Sequence, residues 1–96
     1  MERYTYKLKV VVMNKIRREI DKIDDKIFKL LKARLSKAKK IAALKKYMKV
    51  QVNDDEREKE ILDKLDCEDY KPYKEQMTAI YKEIFQQMKD LESGED

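Results

Sequence analysis

The 96-residue chain carries 46% charged residues, a formal net charge of +4, one Gly and one Pro, a composition typical of one domain built from long helices. The chain has no histidine and a single cysteine, Cys67, and this composition excludes zinc sites and Ser-His or Cys-His catalysis. No apolar run reaches the roughly 18 residues of a membrane span and no signal peptide is visible, so we expect a cytoplasmic protein that does not enter a membrane.

The first element is a short N-terminal arm or extension, residues 1–13, whose apolar residues alternate as in a strand. The residues that follow, "MNKIRREID", read as a fresh start. The sequence therefore predicts an appendage, either a strand or a loosely held arm, ahead of a domain at 14–96. The alternating apolar residues are Tyr4, Tyr6, Leu8, Val10 and Val12.

A long amphipathic helix is predicted next, from a possible N-cap at Asn14 to Met48. No Gly or Pro interrupts this stretch. About 35 residues at 1.5 Å each give a rod of roughly 50 Å, which is more than a compact monomer of this size would bury. Such a helix usually pairs with another chain or with long antiparallel neighbours. Its apolar residues step by three and four, namely Ile16, Ile20, Ile23, Ile27 and Leu30.

Two shorter helices are predicted after a break at "VQVNDD". Helix two should span about 54–66, with Asn53 or Asp54 as its cap and acids at its positive end. "DCEDYKPY" reads as a loop, and helix three should run from about Pro72, which suits a first helical turn, to Leu91. The sequence therefore predicts an all-α chain with one long, one short and one medium helix.

Basic residues dominate the middle of the chain. From Lys26 to Asn53 there are ten Lys or Arg and no acid, whereas residues 54–96 hold fifteen acids and seven bases. A solvated lysine face is the ordinary explanation. An anion site, a nucleic-acid patch and a membrane-surface helix also fit such a stretch.

Two cations lie on the apolar stripe itself, where a charge is costly unless it is paired or bound. Arg34 is in register with Ile27, and Lys45, eleven residues later, lies only about 20° from Arg34 around the helix. Snorkelling or pairing with acids would explain either one alone. However, three of the five arginines, Arg17, Arg34 and Arg57, lie in or beside apolar stripes. Arginine binds carboxylates bidentately, which favours an anion site.

Further charges extend this pattern along the chain. Arg17 and Arg34 are about 25 Å apart along helix one and point roughly 100° away from each other. One small ligand can therefore touch both only if Arg17 comes from a neighbouring chain. At the start of helix two, Arg57 and Glu58 lie one turn before apolar residues and should face inward, whereas capping alone suffices for Asp54.

The spacing of these charges resembles the all-helical class of chorismate mutase. Arg17, the stretch "REIDKIDDKIFKLLKAR" that ends in Arg34, then Lys45 and "NDDERE" follow that family's active-site pattern, with gaps of 17, 11, 9, 3 and 1 residues. The resemblance covers about residues 14–93. It implies a three-helix protomer whose long first helices intertwine in a homodimer. It also implies the rearrangement of chorismate to prephenate, on the route to phenylalanine and tyrosine, without metal or cofactor.

The resemblance also implies a role for each charged position. Arg34 and Arg17, the latter from the other chain, would clamp the carboxylates of the substrate. Lys45 would donate to the ether oxygen as it becomes negative, and Arg57 would add positive potential. Glu58 would accept from the ring hydroxyl. Asp54 would hold the entrance of helix two or meet the hydroxyl through its own backbone.

Helix three departs from the family's pattern. Seven and eleven positions after Phe85, where the family usually has a small polar residue and a glutamine, this chain has Glu92 and Asp96. Ionised acids there would repel the substrate, whereas a protonated acid could donate as glutamine does. Ser93 could substitute only if the helix shifts. We therefore expect catalytic efficiency to rise as the pH falls from about 8 to about 5.

Three alternatives stay open from the sequence. An isochorismate-pyruvate lyase of the same fold would share much of the clamp. A basic helical module that binds nucleic acid would depend on Lys37, Lys39 and Lys40. Tyr47 is the only aromatic residue that follows these lysines in the basic stretch and could stack on bases, so no nucleic acid is expected. A plain coiled-coil partner protein would be stabilised by Arg34→Leu at no cost to function.

Overall fold

The computed structural model describes residues 5–48 and 54–93, and within these ranges the chain is helical and contains no strand. The all-α prediction of one long, one short and one medium helix is confirmed, as is the end of the first helix at Met48. A short 3-10 turn precedes the third helix. The elements in chain order are α1 (Tyr6–Met48), α2 (Asp54–Asp63), the 3-10 turn (Lys71–Tyr73) and α3 (Lys74–Ser93).

Helix α1 begins eight residues before the predicted start, and Thr5 rather than Asn14 caps it. The Thr5 hydroxyl accepts a hydrogen bond from the backbone N–H of Leu8 at 3.2 Å, which satisfies one of the unpaired donors of the first turn. The predictions of a cap at Asn14 and of a strand over the described part of the arm are therefore wrong. Once capped, a helix extends until a breaker stops it, and valines lower helix propensity only slightly.

The chain divides into two units, residues 1–34 and 35–96. In the first unit, the described structure is the part of α1 up to residue 34. Its apolar stripe lies open to solvent: the side chains of Ile16, Ile20, Ile23, Ile27 and Leu30 are all between 44% and 70% exposed. Isolated apolar residues on a surface are ordinary, but a continuous stripe of them marks an interaction surface.

The second unit holds the buried core, whose side chains come from the end of α1, from the turn after α2 and from α3. Tyr81 packs edge-on against Phe85 with ring centroids 5.8 Å apart, a favoured aromatic arrangement. The buried side chains of this core are Ala38, Ala42, Leu65 and Phe85.

The connection between α2 and α3 differs slightly from the prediction. Helix α2 ends at Asp63 rather than near 66, and tight turns follow, in which the N–H groups of Lys64 and Leu65 bond to carbonyls three residues earlier. Pro72 lies in the 3-10 turn that leads into α3, where its fixed φ suits a first turn, as predicted.

None of the described helices is both long enough and apolar enough to cross a bilayer.

Candidate active site

Five charged side chains from three helices of the second unit form a group that we call the charged cluster. Two are cations and three are carboxylates: Lys45 pairs with Asp54 and Glu92, and Lys89 pairs separately with Glu58. The charged cluster consists of Lys45 from α1, Asp54 and Glu58 from α2, and Lys89 and Glu92 from α3.

Lys45 lies at the centre of the charged cluster, between carboxylates of the other two helices. Its Nζ donates to both carboxylate oxygens of Asp54, at 3.2 Å and 3.0 Å, and lies 3.7 Å from Oε2 of Glu92. The side chains of Lys45 and Glu92 are only 24% and 18% exposed. Because partial burial reduces screening by water, these ion pairs are stronger than pairs on an open surface.

The helix periodicity explains why these side chains converge. Lys45 follows the buried Ala42 by three residues, so it continues the inward face of α1. Asp54 and Glu58 are one turn apart on α2, and Glu92 lies seven residues after the buried Phe85 on α3. Lys45 and Glu92 therefore continue the buried faces of their own helices.

Lys89 belongs to the charged cluster, although the sequence analysis did not single it out. Its Nζ lies 3.0 Å from Oε2 of Glu58. The hydrogen bond to Glu58 raises the pKa of Lys89 more than desolvation lowers it, and the negative charges of Glu58, Asp55 and Asp54 raise this pKa further. Lys89 comes one turn after Phe85, and a charge at that distance from an inward-facing aromatic residue is the signal that could have revealed it.

Arg57 lies on the exposed side of α2, not on its inner side as the sequence predicted. Its guanidinium Nη1 is 3.3 Å from Oε2 of Glu60, and the two side chains are 63% and 60% exposed. Pairing with an acid three residues later holds Arg57 along the solvent-facing surface of the helix. The inward placement predicted for Glu58 is found instead, with 23% of its side chain exposed.

The remaining predicted residues are distributed as follows. The structure brings Lys45, Glu58, Asp54 and Glu92 together in the second unit. Arg17 and Arg34 both lie on α1 in the first unit, Arg17 exposed and Arg34 half-buried. Asp96 lies outside the described residues.

The charged cluster has the chemistry of a receptor for a small polar anion. An ammonium group presents three N–H donors and no acceptor, and a carboxylate presents only acceptors. Such a site can bind a negative group through its lysines and a hydroxyl through its carboxylates. Across residues 5–48 and 54–93, no three Cys, Asp or Glu side chains are grouped so that they could hold a metal ion.

The described structure is thus an all-helical protein whose second unit holds a cluster of paired charged side chains. The family model described as chorismate mutase type II matches residues 16–93, and the chain belongs to this family. The resemblance inferred from six charged positions is thereby confirmed.

One curated relative gives a partial match. A protein of Methanocaldococcus jannaschii described as "Chorismate mutase" is 48% identical over 50 residues, which cover 52% of this chain and 50% of the relative. The chain thus spans about half the length of the curated relative that it matches. No solved structure matches the chain at a significant level.

Proposed function

We propose that the protein is a chorismate mutase, an isomerase that converts chorismate to prephenate in the biosynthesis of phenylalanine and tyrosine. Family membership supports the class of reaction. The observation that carries the proposal is the half-buried ammonium group of Lys45, held between α2 and α3 by Asp54 and Glu92. This is the position at which the sequence resemblance places the donor to the ether oxygen.

The reaction needs positioning and electrostatic support rather than acid-base machinery. It is a unimolecular rearrangement in which an ether C–O bond breaks while a C–C bond forms, and it requires no nucleophile. The enzyme lowers the barrier by holding the substrate in its compact chair form and by stabilising negative charge on the ether oxygen. This requirement agrees with a chain that has no histidine and many cations.

Lys45 is well placed to supply that stabilisation. Its two contacts with the Asp54 carboxylate fix the ammonium group before the substrate arrives. Because an ammonium group has three N–H donors, Lys45 retains the capacity to donate to a ligand. A donor that is already in position does not need to reorganise as charge develops in the transition state. Glu58 accepts a hydrogen bond from the ring hydroxyl in this proposal.

The arginines complete the clamp on the two carboxylates of the substrate. Arg34 binds one carboxylate bidentately, and Arg17 from a second chain joins it. The exposed ion pair between Arg57 and Glu60 is weak, so a doubly negative substrate can replace Glu60 as the partner of Arg57. Arg57 then adds positive potential near a carboxylate of the substrate. Glu92 and Asp96 take the positions where the family usually has neutral residues, with the consequence tested below.

A homodimer is the second part of the proposal. Apolar residues of α1 recur at alternating intervals of three and four, the heptad spacing of helices that pair with other helices. Their exposure of 42% to 70% in the single chain supports burial against another surface. A second copy of α1 supplies such a stripe, and the two long helices intertwine. The members of the stripe are Met13, Ile16, Ile20, Ile23, Ile27 and Leu30.

Arg17 lies next to this dimer surface, immediately after Ile16. It is exposed on α1, and among the described residues it forms no ion pair. Pairing of the helices carries Arg17 to the site of the other protomer. In this arrangement, residues 1–13 are an extension ahead of the mutase domain at 14–96.

A cytoplasmic location of the protein stays a prediction.

The direct test is the fate of chorismate mixed with the purified protein. We expect its absorbance to fall and the product to give phenylpyruvate after acid treatment, as prephenate does. Isochorismate in a parallel reaction should stay largely uncleaved. Release of pyruvate from isochorismate as the faster reaction would assign the lyase instead, and no turnover of either substrate would reject both enzymes.

Replacing Glu92 with Gln should raise catalytic efficiency at neutral pH. The Glu92 carboxylate lies 3.7 Å from the Lys45 ammonium, where it competes with an anionic substrate. A glutamine at this position removes that charge and still donates and accepts hydrogen bonds. We therefore expect kcat/KM at pH 7.5 to rise about fivefold, which corresponds to the free energy of one partly exposed ion pair. The rise of kcat/KM in the parent protein as the pH falls from about 8 to about 5 stays a prediction.

The change in kcat/KM at pH 7.5 between the parent and Glu92→Gln is the discriminating measurement. Glu75→Gln, at the opposite end of α3, removes an exposed carboxylate and should leave kcat/KM unchanged. An equal or lower kcat/KM in Glu92→Gln, or an equal rise in Glu75→Gln, would show that Glu92 has no such role.

A further inference from the structure

Lys89 is the one cation of the charged cluster to which the family resemblance gives no role. It joins α3 to α2 through its ion pair with Glu58, whose Oε2 is 3.0 Å from the lysine Nζ. Glu58 is the more buried partner, with 23% of its side chain exposed against 43% for Lys89. The contact therefore orders a carboxylate that has limited access to water.

The charge balance of the site depends on this lysine. The charged cluster holds three carboxylates and two ammonium groups, and Lys45 is already shared by Asp54 and Glu92. Without Lys89, Glu58 would lie one helical turn from the like charge of Asp54 with no cation of its own. A doubly negative substrate would then increase the repulsion.

We propose that Lys89 is a positioning residue that holds the Glu58 carboxylate ready to accept the substrate hydroxyl, an inference that rests on the proposed function. A carboxylate has two oxygens, and donation by Lys89 to one of them fixes the plane of the group while the other keeps its acceptor capacity. Lys89 acts through Glu58 and does not itself contact the reacting atoms. Its raised pKa agrees with a lysine that stays protonated in the neutral range.

The kinetic test is a double-mutant cycle between Lys89 and Glu58. Lys89→Met, which keeps the length of the side chain without its charge, should lower kcat/KM about five- to tenfold, mainly through KM, because the hydroxyl contact exists in the ground state as well as in the transition state. Lys89→Arg should recover most of the loss. In a Glu58→Gln background, Lys89→Met should cause no further loss.

The matched control is Lys82→Met, which removes an exposed lysine seven residues earlier on α3. It should leave the kinetic constants unchanged. A loss of equal size in Lys82→Met would indicate a general effect of positive charge and would overturn the assignment. Full additivity of Lys89→Met with Glu58→Gln would also overturn it, because Lys89 would then act independently of Glu58.

Nuclear magnetic resonance titration tests the pair without relying on activity. The pKa of Lys89 should fall in Glu58→Gln, because the hydrogen bond from Lys89 to Glu58 and the charge of Glu58 raise it in the parent. An unchanged pKa of Lys89 in a protein that turns over chorismate would reject the positioning role alone. A lowered pKa of Lys89 in Glu58→Gln, in a protein whose parent does not turn over chorismate, would reject the proposed function and, with it, the positioning role.

Discussion

Replacing Lys45 with Ala is expected to lower kcat/KM for chorismate by about a hundred- to a thousandfold, the usual cost of removing one preorganised donor to a developing oxyanion. The Lys45 ammonium group is partly buried, and Asp54 holds it at 3.0 Å. Alanine at this position removes the donor that is already fixed beside the ether oxygen. The loss should appear mainly in kcat, because the ether oxygen becomes strongly negative only in the transition state.

Lys46→Ala is the matched control for this prediction, since Lys46 is the next residue of α1 and is exposed. It removes the same charge from the same helix and should retain near-parental activity. Because Lys45→Ala leaves Asp54 and Glu92 without their shared cation, its thermal unfolding should be measured alongside. Equal turnover by Lys45→Ala and the parent would overturn the role of Lys45, whereas loss of helical circular dichroism would call for Lys45→Met as the replacement.

Much of the second unit could be predicted from the sequence because helical periodicity is a local property. Charges that lie in register with apolar residues are expected to share the face of those residues, and this spacing predicts inward positions for Lys45 and Glu58. The structure places both side chains half-buried, with 24% and 23% exposed. The departure from the family's pattern at Glu92 was also visible in the sequence.

Pairing between helices was harder to predict, because it depends on how each helix is rotated. Arg57 and Glu58 are adjacent and had equal claims to the inner face, yet Arg57 pairs with Glu60 on the exposed side. Lys89 was missed because its partner lies 31 positions away in the sequence. No local pattern encodes such a contact.

The start of α1 shows a different limit. Over residues 6–12, the alternation of apolar residues indicates a strand, but alternation over so few residues is weak evidence when residues 5–48 and 54–93 contain no partner strand. Thr5 supplies a cap, and no Gly or Pro lies between it and Met48 to stop the helix. Continuity with a long helix therefore determined the structure of this segment.

Mixing two inactive variants should restore activity if Arg17 serves the site of the other protomer. Arg17→Ala and Lys45→Ala should each have little activity as homodimers, the first through loss of a carboxylate contact and the second through loss of the ether-oxygen donor. In a heterodimer, the Arg17→Ala protomer keeps its own Lys45 and receives Arg17 from its partner, so one of the two sites is complete. Because half of randomly reassorted dimers are heterodimers, activity should reach about one quarter of the parental value.

The experiment requires that the subunits exchange, which refolding of an equimolar mixture of the two variants ensures for intertwined chains. Purification through two different affinity tags then isolates the heterodimer, whose activity should be about half that of the parent dimer because one of its two sites is complete. Arg18→Ala, a change of the neighbouring exposed arginine, should be active without mixing. If Arg17 instead served its own protomer, each protomer of the heterodimer would lack one essential residue and no activity would return. A monomeric parent protein in sedimentation would contradict the shared site in the same way, because the exposed stripe of α1 would then have no second copy to cover it.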